Sequence, residues 1–147
     1  MADMHKVIGF KQATLKTCWE GAAHTMYIWK YGQGAKYQEA ARKALRNVDK
    51  TKLLIADDNG LEVEQFYLAL GLARKEIATE DQLLVVLLHS PVIFIKTAPP
   101  AHAVVLTGKD DTGLWVMDPW DGTKKHLDYS DFQGAFSPIV FYWPWKS

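Results

Sequence analysis

The chain is expected to fold as an α+β protein, because its apolar pattern changes period once, near Ser90-Pro91. Before that point apolar residues recur every three or four positions, as on one face of a helix. After it, short apolar runs are cut by Gly, Asp and Pro turns, as in antiparallel strands. Helices first and strands second is the α+β order. The length of 147 residues suits one core and is short for two, so a single domain over 1–147 is expected.

An extended segment, Val7 to Gln12, leads to a helix that starts at Cys18 and runs to about Tyr31, where Gly32-Gln33-Gly34 ends it. Trp19, Ala22, Ala23, Met26 and Tyr27 form its apolar stripe. The spacing predicts a second helix over Lys36 to Val48, with Tyr37, Ala40, Ala41, Ala44 and Leu45 inward and Glu39, Arg42, Lys43 and Arg46 outward. Asp57-Asp58-Asn59-Gly60 reads as a turn, and Leu61 to Leu72 as a third helix. A fourth starts at Thr79, which has capping-box spacing to Gln82, and ends near His89. Strands are expected over Val92 to Thr97, Ala103 to Thr107, Leu114 to Met117, Lys124 to Leu127 and Ile139 to Trp143. Phe141, Tyr142, Trp143 and Trp145 are expected to close the core.

Composition narrows the function classes. Lys plus Arg equals Asp plus Glu at 17 each, so no general pull toward nucleic acid or an anionic membrane is expected. The basic cluster Arg42-Lys43, Arg46 and Lys50 reads as a solvated helix face. The longest apolar run, Leu83 to Leu88, is far short of a membrane span. The start Met1-Ala2-Asp3-Met4-His5-Lys6 lacks the basic-then-apolar profile of a signal peptide, so a cytoplasmic protein is expected at synthesis. Specialised secretion leaves no such mark and stays open. One cysteine allows no internal disulfide. His5, His24, His89 and His126 show no ligand spacing, so no metal and no cofactor are expected.

The single Cys18 heads a helix, where the positive end of the dipole and free amides favour a thiolate. Gln12 stands six positions before the pair Cys18-Trp19, and His102 stands sixteen positions before Asp118. These are the parts of a thiol hydrolase: a nucleophile, an imidazole to carry the proton and a carboxylate to orient it. A side-chain amide from Gln12 and the backbone N–H of Cys18 would stabilise the oxyanion. A lone cysteine is usually a small buried hydrophobe; the joint spacing argues for the catalytic reading here. Asp121 reads as a turn residue, and Trp19 and Trp120 as packing support for the site.

This order and spacing resemble the papain-like cysteine peptidases, in which a glutamine precedes a Cys-Trp pair by six positions and a His precedes the orienting Asn or Asp by sixteen. A tryptophan two positions after that residue often shields the His contact, and Trp120 fills the place. The segment Gly113 to Gly122, followed by Leu127-Asp128-Tyr129-Ser130-Asp131-Phe132, is similar to the short bacterial branches. Those branches are bacteriocin-exporter leader peptidases, staphopain-like enzymes and the cysteine-protease effectors of plant-pathogenic bacteria. The resemblance spans roughly residues 6 to 145. It implies a minimal papain-like fold, with the nucleophile helix packed on a C-terminal antiparallel sheet. It departs from the cathepsin type, whose Cys-Gly-Ser before the Cys-Trp is Leu15-Lys16-Thr17 here. The interval from Cys18 to His102 is 84 residues rather than ~130–150, so the substrate-binding insertions of large papains are missing.

The resemblance implies a polypeptide substrate, a bacterial effector or toxin role, and an inhibitor, immunity or activating protein as a further partner class. Two alternatives remain open from the residues. The same triad could act on another amide, as a deamidase or peptidoglycan amidase, or the fold could serve as a catalytically silent binding module.

Overall fold

The structure is a computed structural model that describes residues 5–10, 18–46, 48, 61–96, 102–128 and 136–144. Its elements in chain order are α1 (Cys18–Tyr31), α2 (Tyr37–Ala44), α3 (Leu61–Leu70), β1 (Ala73–Glu76), α4 (Glu80–Leu87), β2 (Val92–Lys96), β3 (His102–Lys109), β4 (Gly113–Asp118), β5 (Thr123–Asp128) and β6 (Phe136–Tyr142). The strands form one sheet in the order β1-β6-β2-β3-β4-β5, and every pairing among the described residues is antiparallel.

The middle of the sheet is apolar on both faces because both are covered. Strand side chains alternate, so Ile93, Ala103, Val105, Met117 and Phe141 meet α1, α2 and α3. Their neighbours Val92, Phe94, Val104, Leu106, Val116 and Val140 meet Leu83, Val86 and Leu87 of α4. Residues such as Met26, Phe66 and Leu87 lose all contact with solvent, which contributes about 1.5–3 kcal/mol for each such side chain. The expected α1 stripe is present: Trp19, Ala22, Ala23 and Met26 are buried and Tyr27 is half-buried.

Helix α4 starts where the capping signal put it, with Thr79 Oγ1 accepting the Gln82 N–H at 3.2 Å. The Gln82 side chain reaches back to the Ala78 N–H at 2.7 Å, one residue earlier than the usual reciprocal bond. Helix α2 stops at Ala44, and Leu45 and Arg46 continue only as a turn. The predicted turn at Asp57 to Gly60 lies outside the described residues.

Strand β1 is the element with no counterpart in the sequence reading. Ala73-Arg74-Lys75-Glu76 has no apolar alternation, because it is an edge strand with one paired side, to β6. Charged residues are what edge strands carry to discourage further pairing. The five expected strands are all present. Four of them extend by one to three residues at an end, β6 finishes at Tyr142 instead of Trp143, and the expected last residue of β2, Thr97, lies outside the described residues.

No helix among the described residues is long and apolar enough to cross a membrane.

Candidate active site

The site lies where the N-terminus of α1 meets the starting end of β3 and the finishing end of β4. Cys18 is the first residue of α1 and is 2% exposed. Its Sγ accepts the backbone N–H of Ala103, on β3, at 3.3 Å. His102 is the first residue of β3, and Asp118 is the last residue of β4. His102 Nε2 lies 2.5 Å from Asp118 Oδ1, and the same oxygen accepts the Trp120 N–H at 2.9 Å. With Nε2 committed to the carboxylate, Nδ1 is the ring nitrogen left to interact with Cys18, which lies close enough to His102 to raise its pKa.

Electrostatics favour the charged form of both partners. Burial pushes the His102 pKa down, but the hydrogen bonds to Asp118 and Cys18 and their negative charge outweigh it and raise the value to about 9. Burial pushes Asp118 up, yet the His102 bond, the Trp120 amide and the Lys125 charge hold it below its ordinary value. Near neutral pH the pair is therefore an imidazolium beside a carboxylate, and both ring nitrogens are donors.

Two close approaches seat this corner. A Cβ on Gly21, one helical turn after Cys18, would lie 2.7 Å from Pro119 Cβ and 3.1 Å from the Phe10 carbonyl oxygen. A Cβ on Gly9 would collide with the Gly122 carbonyl and with Met117 Sδ. The turn after Asp118 is thus pressed between α1 and the segment 5–10, and both contacts need glycine. From behind, the buried Tyr67 hydroxyl of α3 donates to the Trp19 carbonyl at 3.0 Å, tying α3 to the first turn of α1. Burial first, then Cys18, pushes Tyr67 well above its usual pKa, so it stays a donor.

Of the residues expected at the site, Cys18, His102 and Asp118 are brought together, and Gln12 lies outside the described residues. Trp19 is buried and packs edge-on against Phe66 with ring centroids 5.1 Å apart. Its indole Nε1 has no hydrogen-bond partner among the described residues. Trp120 is 51% exposed, and the contact it makes with the pair is through its backbone N–H. His24 is stacked between Phe10 and Tyr37, with centroids 3.6 and 4.4 Å away.

The sequence reading missed Gly9, Gly21, Tyr67 and Lys125. Lys125 Nζ lies 3.4 Å from Asp118 Oδ2 and 2.9 Å from Asp121 Oδ2. The sequence carried no mark of Lys125, because a spacing of four from Asp121 signals a contact only on a helix, and Lys125 lies on strand β5. Nothing in the sequence marked Gly9, Gly21 or Tyr67, since what they touch is distant along the chain.

No curated protein shows a significant sequence match to this chain. Solved structures do share its fold. One is a double glycine motif protease from an AMS/PCAT transporter, in complex with the leader peptide: TM-score 0.64, 18% identity, covering 97% of this chain and 95% of that one. Another is the peptidase domain of Streptococcus ComA, a bifunctional ABC transporter involved in quorum sensing: TM-score 0.63, 16% identity, covering 94% of this chain and 98% of that one. At those identities the likeness carries the papain-like fold alone, seen here as helices packed on an antiparallel sheet. The family itself comes from the sequence profile of the papain-like cysteine protease AvrRpt2, which matches residues 4–136. A match over that much of the sequence means that the chain belongs to the AvrRpt2 family of papain-like cysteine proteases.

Proposed function

We propose that the chain, acting as a single domain, cleaves an amide bond of a polypeptide through a covalent intermediate on Cys18. The observation that carries this reading is the juxtaposition of three groups: His102 Nε2 lies 2.5 Å from Asp118 Oδ1, and the buried Cys18 Sγ accepts the N–H of Ala103, the residue next to His102, at 3.3 Å. A thiol at a helix N-terminus beside an imidazole has the base it needs to act as a nucleophile.

The thiolate forms a C–S bond to the carbonyl carbon, and the carbonyl π electrons move to oxygen. The Cys18 N–H and the Gln12 side-chain amide donate to that oxyanion. Its collapse breaks the C–N bond as His102 gives its proton to the leaving nitrogen, leaving a thioester and a neutral imidazole. A water molecule then loses a proton to His102 and attacks the thioester, and the thiolate departs with the imidazolium restored. Asp118 keeps the ring in register throughout and takes up no proton.

A polypeptide substrate is supported by the leader peptide bound to the transporter protease of the same fold. The likeness of the motif region to short bacterial peptidases supports a substrate that is a leader peptide or a protein of another cell, the latter being an effector or toxin role. Mass spectrometry of candidate polypeptides incubated with the purified protein tests this. New chain termini that vanish with Cys18→Ala are the expected result. A mass change without scission would replace the peptidase by a deamidase, and no product from a folded protein with an inert Cys18 would leave a binding module.

A further inference from the structure

We propose that Lys125 is a positioning residue for the candidate triad, its ammonium holding the second oxygen of Asp118 and sharing the charge of the carboxylate that faces His102. The inference rests on reading Cys18, His102 and Asp118 as that triad. Asp118 pairs with Thr123 across the β4–β5 ladder, two residues before Lys125. Strand alternation therefore puts Asp118 and Lys125 on one side of the sheet. Oδ1 of Asp118 is taken by His102 and by the Trp120 N–H, and Oδ2 receives Lys125 at 3.4 Å.

The simpler account is a surface pair between Lys125 and Asp121, 2.9 Å apart, and such exposed pairs are weak. Asp121 is however immobilised by the Thr123 N–H at 3.0 Å and the Thr123 hydroxyl at 2.7 Å. Its other oxygen then serves to hold the ammonium beside Asp118. Lys125 keeps 39% of its side chain exposed while Asp118 keeps 18%, so the cation sits at the mouth and the carboxylate within. Among the described residues, the titratable groups that act on His102 directly are Asp118 from β4 and Cys18 from α1, and Lys125 from β5 reaches it through Asp118, with Asp121 of the following turn on the same ammonium. Lys96 stands opposite His102 in the β2–β3 register.

A cation near an acidic pair makes every member release its proton at lower pH. Removing it moves all of them upward. The test is an NMR titration of the His102 imidazole in the full chain, for wild type, Lys125→Met and Lys125→Arg. Lys125→Met should raise the His102 midpoint by about half a pH unit at low ionic strength. The difference should shrink in about 1 M salt, where screening is short-ranged. Lys125→Arg should follow wild type. With an active substrate, both limbs of the kcat/KM profile of Lys125→Met should move up together, whereas a merely structural role lowers the whole curve and leaves its limbs in place. If Lys125→Met does not fold, Lys125→Gln carries the same expectation. A folded Met or Gln variant that titrates as wild type, or an Arg variant that shifts as Met does, overturns the proposal. The titration needs no substrate, so an inert Cys18 would remove the peptidase reading and leave this result standing.

Discussion

Strand β3 carries a His–Asp pair at each end, and the two differ in what the second ring nitrogen sees. His102 opens the strand and pairs with Asp118, sixteen residues on. Asp110 follows the strand's last residue and pairs with His126, also sixteen residues on. The two pairs are separated by the strand's length, roughly 25 Å. His126 Nε2 meets both oxygens of Asp110 at 3.2 and 3.1 Å, and its Nδ1 faces a second carboxylate, Asp128, at 3.8 Å. His102 instead stands beside a thiol, since Cys18 Sγ accepts the N–H of the next residue, Ala103. Asp110 also accepts the Thr112 N–H, the Thr112 hydroxyl, the Gly113 N–H and the Trp115 indole. That carboxylate ties a β-hairpin turn together, while Asp118 holds the imidazole with one turn amide and the Lys125 ammonium. An Asp–His hydrogen bond is thus common structural material; a helix N-terminus presenting a cysteine to the ring distinguishes one of the two.

The comparison breaks first at the nucleophile. Cys18→Ala should abolish hydrolysis with the circular dichroism spectrum unchanged, because only a small side chain is lost. Retained activity in the folded variant would remove Cys18 from the mechanism. The two histidines should then separate sharply. His102→Ala should end fast haloacetamide alkylation of Cys18 near neutral pH, whereas His126→Ala should leave both alkylation and turnover close to wild type. Asp118→Ala should keep more activity than His102→Ala, since the carboxylate orients the ring and transfers no proton. Equal losses from the two histidine variants would mean that the pairs are not different in kind.

Gln12→Ala should lower kcat on the order of 10²–10³-fold, the effect of losing one oxyanion donor. Alkylation of Cys18, which passes through no tetrahedral oxyanion, should change far less. Similar losses in both rates would reassign Gln12 to support of the thiolate or of the local fold.

The smallest effects are in stability, and they run in opposite pH directions. His102 has its folded pKa raised from 6.5 to about 9. The stability it contributes is therefore complete below about 6.5 and is lost as pH rises through about 9. The bond to His126, followed by the Thr112 N–H, holds Asp110 well below its ordinary value of 3.8. Its contribution is present above that value and disappears as pH falls through the depressed one. The Tm gap between wild type and His102→Gln should close toward alkaline pH, and the gap for Asp110→Asn toward acid. Gaps that do not vary with pH would mean that packing, and not charge, sets both.

The five long strands were legible because buried positions must be apolar and Gly, Asp and Pro turns punctuate them; α1 was legible because its stripe follows the helical period and Gly32-Gln33-Gly34 ends it. Strand β1 was not, since Ala73-Arg74-Lys75-Glu76 takes its extended form from hydrogen bonds to Ile139–Tyr142, far along the chain. The sheet order, with β6 inserted between β1 and β2, has the same origin. At the site, the nominated Cys18, His102 and Asp118 rested on residue types at set intervals, and intervals can be read along a line. By itself the sequence determined the α+β class, most elements and the chemical identity of the candidate groups, because period, turn chemistry and residue type are local properties. Only the tertiary structure decided that Nε2 of His102 meets Asp118, that Lys125 stands on the other carboxylate oxygen, and that Gly9 and Gly21 let the Asp118 turn be clamped. Those are contacts between segments distant in sequence, and their geometry is set by how the helices and the sheet pack.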